Sequence, residues 1–133
     1  MSKLYKKYVA LKIQDSSKFY LFHVGAFYIF IDNDAQIMSS VLKLKLTYLN
    51  SFVTKCAFPV SSAEKYFNFF KNSKYKVFLV DDDTLSNTDI ASYEKNKIKE
   101  SILYELSIVD IDNFSISEAF EFLHDLQKRI KNI

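Results

Sequence analysis

A single glycine, Gly25, interrupts the aromatic run Phe19-Tyr20-Leu21-Phe22-His23-Val24-Gly25-Ala26-Phe27-Tyr28-Ile29-Phe30-Ile31. Glycine is needed where the backbone must take a positive φ or pass close to another group. With no second glycine in the chain, backbone freedom is concentrated at this one point. The flanking residues are aromatic and β-branched, which predicts two short strands, 18–25 and 26–32, meeting at Gly25. Phe27 follows the bend directly, so the bend is the candidate site.

The same scarcity of glycine excludes whole classes of function. One glycine cannot build a Walker A loop or a dinucleotide fingerprint, so nucleotide hydrolysis is not expected. One cysteine, Cys56, permits neither an internal disulfide nor a thiolate metal cluster. It sits in an apolar strand before Pro59 and reads as a small core residue in a reducing, cytoplasmic protein. The N-terminus lacks the apolar segment of a signal peptide. The longest apolar run, 19–31, is shorter than the roughly 18 residues a membrane helix needs. His23 lies in the aromatic strand and His124 on an amphipathic helix; both read as structural.

Two acidic patterns suggest metals. Asp81-Asp82-Asp83 follows a strand without a partnering histidine and reads first as a solvated turn, a metal-dependent enzyme using these carboxylates standing as a third alternative. Asp110, Asp112 and Glu121 fall at the first, third and twelfth places of a calcium loop. Phe114 and Ser115 occupy its fifth and sixth places, where a ligand and a glycine are required. No cofactor and no catalysis are expected.

Hydrophobic periodicity orders the rest of the chain. It predicts a helix at 5–13, the two strands at Gly25, a helix at 35–42 and an alternating strand at 43–48. A strand at 52–58, stopped by Pro59, precedes a helix to about residue 72, with Ser61 and Glu64 as a capping box. A buried strand follows at 75–80. This is an α/β fold, a mixed β-sheet flanked by helices, over residues 1–83. A polar linker is expected at 84–91. Residues 92–133 read as a helical hairpin, with a capping box at Ser115 and Glu118 and an apolar stripe of Ala119, Phe120, Leu123, Leu126 and Ile130.

Charge divides the chain in the same place. Residues 1–80 carry twelve lysines against four acidic residues, a net +8; residues 81–133 carry six basic against twelve acidic residues, a net −6. The basic half suits a polyanion. Phe27 then has two readings. In a strand it shares a face with Ile29, and a strand apolar on both faces belongs in a covered sheet. Alternatively, an aromatic beside a tight bend among lysines is a wedge of the kind that unstacks and kinks DNA.

The residues Phe22-His23-Val24-Gly25-Ala26-Phe27-Tyr28-Ile29-Phe30, Asp32-Asn33-Asp34-Ala35 and Leu44-Lys45-Leu46-Thr47 follow one another at a particular spacing. With Phe58-Pro59, Glu64, Tyr66 and Lys76-Val77-Phe78-Leu79-Val80, that order resembles the N-terminal mismatch-recognition domain of the MutS family, over about residues 4–83. In the family, the phenylalanine of a Phe-x-Glu motif stacks at a mispaired base and the glutamate hydrogen-bonds that base. By this resemblance Phe27 is the wedge, and the glutamate position is Ile29, which offers no polar contact to a base edge. Residues 101–131 resemble the C-terminal helical hairpin of bacterial MutS, an oligomerisation element, with Ile116 where the family has proline.

The resemblance implies a DNA-binding protein of mismatch repair without its own ATPase, recognising mismatched or bent duplex. Its expected DNA contacts are Phe27, Tyr28, Lys43, Lys45, Lys74 and Lys76. Phe120, Leu123, Leu126 and Ile130 are expected to mediate self-association, or pairing with a full-length MutS by hairpin exchange. The alternative is a protein-interaction module of the same fold with Phe27 buried.

Overall fold

The aromatic run folds as a β-hairpin at the centre of a six-stranded sheet. The computed structural model describes residues 2–82 and 84–133, so of the Asp81-Asp82-Asp83 cluster Asp83 lies outside the described residues. Strands β1 (Phe19–Val24) and β2 (Phe27–Ile31) pair antiparallel on either side of Gly25. With β3 (Thr47–Tyr48), β4 (Thr54–Pro59), β5 (Val77–Val80) and β6 (Asn87–Asp89) the sheet order is β3-β4-β2-β1-β5-β6. Only β1 and β5 run parallel. The expected mixed α/β sheet with flanking helices is therefore present.

Alternation along the strands sends side chains to two differently covered faces. On one, Tyr20, Phe22, Ile29, Ile31 and Val80 cluster with Tyr8 and Leu11 of helix α1 (Lys3–Gln14). Each such buried side chain contributes about 1.5–3 kcal/mol relative to exposure. On the other, Tyr28, Phe30 and Phe58 meet Phe67 and Phe70 of helix α3 (Ala63–Lys71), with ring centroids 5.3–6.5 Å apart. Helix α2 (Asp32–Leu42) adds buried Ala35 and Met38.

A half-buried ion pair joins α1, α2 and β1. Asp34, at the start of α2, accepts from Lys12 Nζ of α1 at 2.8 Å and from the Tyr20 backbone N–H at 2.9 Å. Burial pushes the Asp34 carboxyl above its ordinary range, opposed by these hydrogen bonds.

The structure departs from the sequence expectations at several boundaries. Residues 43–46 are irregular, leaving only Thr47–Tyr48 of the alternating segment as strand. Ser61 does not cap a helix: Val60–Ser62 is a 3-10 turn and α3 begins at Ala63 without a side-chain cap. Within the expected linker, Asn87–Asp89 pairs with β5 as an edge strand, and the first unit of the chain extends to Ile90.

The second unit, Ala91–Ile133, is built from helices α4 (Ile90–Ile108) and α5 (Ile116–Lys131). The Ser115 hydroxyl accepts from the Glu118 N–H at 3.1 Å, as a capping residue does. Arg129 of α5 grips Glu105 of α4 with its two terminal guanidinium nitrogens and reaches Asp125 at 2.9 Å. Among the described residues no helix is long and apolar enough to cross a membrane.

Candidate nucleic-acid interface

The hairpin turn sets the geometry of the site. Val24 pairs with Phe27, so Gly25 and Ala26 alone connect the strands. Gly25 has φ +59 at the first turn position, where a II′-type hairpin requires glycine. A Cβ added there would meet nothing within 4 Å. The residue is therefore demanded by its backbone angle, not by lack of space. The Ala26 carbonyl accepts the Val60 N–H at 2.9 Å, fixing the turn against the end of β4.

Phe27 opens β2 and is 48 % exposed. It heads the row Phe27, Ile29, Ile31, whose later members lie in the core cluster with α1, Ile29 at 5 % exposure. Phe27 is thus the point where a core row emerges from cover. Around it opens a groove of about 390 Å³ lined by Leu4, Val24, Phe27, Ile29, Lys45, Thr47, Leu49, Lys55 and Ala57. Its only charged side chains are two lysines. Its floor of Ile29 and Ala57 carries no hydrogen-bonding side chain.

The expected DNA contacts separate in space. Phe27 and Lys45 share the groove. Tyr28 does not: it points to the opposite face and is buried among His23, Phe58 and Phe67, so it is corrected from contact to core. Lys43 is exposed and ends α2 in the left-handed conformation, φ 56, outside the groove lining. Lys74 and Lys76 are also displaced. They precede β5, whose Val77 pairs with Phe19 at the start of β1, while Phe27 pairs with Val24 at its end. Five residues of strand, about 17 Å, separate the two positions.

Lys55 was missed because it sits in an apolar strand, Thr54-Lys55-Cys56-Ala57-Phe58. Two-residue alternation puts it beside Ala57 on the Phe27 face, which is the signal that finds it. Cys56, on the other face, is buried, and desolvation pushes its thiol up to about 12, so it is an inert core residue. Among the described residues no group of three or more His, Cys, Asp or Glu could hold a metal ion.

In the helical unit, Phe120 is 68 % exposed, and Leu123 and Ile130 are likewise exposed. Leu126 is corrected: at 5 % exposure it is already enclosed within the chain and leaves that surface.

The family model for MutS domain I matches residues 2–107. Among curated proteins none matches the chain.

Proposed function

Because this chain belongs to the MutS domain I family, a MutS-related DNA-binding module of mismatch repair, we propose that it binds mismatched or distorted duplex DNA, without catalysis of its own, in the cytoplasm. The observation that carries this reading is an exposed Phe27 heading β2 beside two lysines and no carboxylate. The ring supplies the wedge, and Lys45 and Lys55, both on the β3–β4 flank of β2, neutralise phosphates along that side. Ile29, standing where the family has glutamate, leaves the base edge unread. The module therefore responds to how easily a site unstacks rather than to which bases are mispaired.

Self-association completes the proposal. Ile116, Phe120, Leu123 and Ile130 are exposed on α5, four large apolar side chains. Two protomers joined there hold DNA by avidity, without any new DNA contact. The same stripe supports a second reading, a module that pairs with another MutS-type protein.

Fluorescence anisotropy with perfect and mismatched duplexes at two salt concentrations tests the proposal. Wild type should prefer the mismatch, and its affinity should fall steeply with salt. Phe27→Ala should abolish the preference and leave the salt-sensitive background. Equal affinity of both proteins for both duplexes would overturn it.

A further inference from the structure

Helix α5 carries a seam whose phase is fixed by α4. The Arg129–Glu105 contact turns one side of α5 toward α4, and helical spacing puts buried Leu126 on that side. The next stripe round the helix is Ile116, Phe120, Leu123, Gln127 and Ile130, all exposed, at alternating steps of four and three residues. At about 3.6 residues per turn that stripe is only about 80° wide. Such spacing is the seam of paired helices. Within Ala91–Ile133 only Ile102 and Leu126 are buried, so two helices leave this unit short of a core that a second copy supplies.

Charge along α5 sets the direction of pairing. Glu118, Glu121 and Asp125 precede Lys128, Arg129 and Lys131. Antiparallel helices bring these opposite ends together, whereas parallel ones set like beside like. The midpoint of the seam, Ile116 to Ile130, is Leu123, so a two-fold axis falls there. His124 is the next residue, on the flank turned away from α4. A two-fold axis perpendicular to both helices keeps each flank on its own side. The two His124 side chains therefore stand together, each displaced by about 1.5 Å from the axis along its helix.

Nothing beside His124 in one copy distinguishes the single chain from the pair. It is exposed and lines a groove of about 330 Å³ with Gln127, Lys128, Lys131 and Asn132, to which α4 contributes no residue. By helical spacing the charges nearest it are Glu121, one turn before, and Lys128, one turn after. Both accompany it in either state. The like charge that pairing alone adds is the second copy's His124.

We propose that His124 makes the pairing of two copies sensitive to pH: neutral imidazoles meet at the axis of the closed seam, and protonation sets two like charges there and parts the copies. An imidazole changes charge between about pH 5 and pH 8. The inference rests on the proposed self-association through α5 and adds its regulation.

Sedimentation equilibrium of the full chain at about pH 8 and about pH 5.5 is the test, with circular dichroism checking the fold at both. Wild type should pair at the higher pH and about tenfold more weakly at the lower. Salt at about 0.5 M should restore much of that loss by screening. His124→Gln, neutral throughout, should pair alike at both pH values. His124→Lys, charged throughout, should pair weakly at both. A wild-type dimer indifferent to pH would overturn the switch and leave the seam standing. So would a loss at low pH that persists in His124→Gln, or His124→Lys pairing as tightly as wild type at high pH. A monomer under every condition would remove seam and switch together, with DNA binding at Phe27 untouched.

Discussion

Restoring the family glutamate by Ile29→Glu should damage the protein rather than sharpen its recognition. Ile29 is 5 % exposed and packs with Tyr8, Leu11 and Phe22 under α1, while its outer edge floors the groove. Removing that apolar side chain forfeits about 1.5–3 kcal/mol of burial. Inserting a carboxyl into the same space adds about 1–3 kcal/mol for imperfectly satisfied polar atoms. The total is about 2.5–6 kcal/mol. For a unit of this size each kcal/mol lowers Tm by about 4–8 °C, so a fall of at least about 10 °C is expected in a thermal melt. A buried carboxyl has a raised pKa, so its folded state binds the proton more tightly than the unfolded one. The variant should therefore sit closer to wild type at low pH and diverge as pH rises through the folded-state value. Ile29→Val, costing about 0.5–1.5 kcal/mol, isolates packing from charge. If Ile29→Glu melted within about 3 °C of wild type at neutral pH and gained mismatch preference, Lys45 and Lys55 would be solvating the carboxylate. The assignment of Ile29 to the core would then be wrong.

Three further outcomes follow from the ion pair and the helical unit. Burial raises the Asp34 carboxyl above its ordinary 3.8, so its contribution to stability is full below that value and declines as pH rises through the folded-state pKa; Asp34→Asn should flatten this slope in denaturant titrations at several pH values. Asp34→Ala, which leaves the Tyr20 N–H without its acceptor while Lys12 Nζ keeps the Lys18 and Ser16 carbonyls, should cost about 1–3 kcal/mol in the same measurement. Phe120→Ser combined with Leu123→Ser should lower the sedimentation-equilibrium mass without lowering Tm, since both side chains are exposed; an unchanged mass would remove α5 from the assembly.

The hairpin at Gly25 was legible because its signal is local: one glycine between two strand-forming runs fixes the turn and, through alternation, places Phe27, Ile29 and Ile31 on one face. Tyr28 was misassigned because both faces of β2 are apolar, and only the arrival of α3 distinguishes covered from open. Lys74 and Lys76 were grouped with Lys45 by net charge, a property of the chain that says nothing about which end of a strand a residue occupies. Asn87–Asp89 has poor strand propensity, and its pairing comes from main-chain bonds to β5. The Asp34–Lys12 pair joins residues 22 positions apart, beyond the reach of local patterning.

The two outermost strands are the shortest of the six, two residues at β3 and three at β6. So few unpaired amides and carbonyls give an incoming peptide almost nothing to zip onto. Fibre-like growth through the backbone is thereby starved at both flanks. Whatever company this molecule keeps must be chosen by side chains, which a single substitution can rewrite.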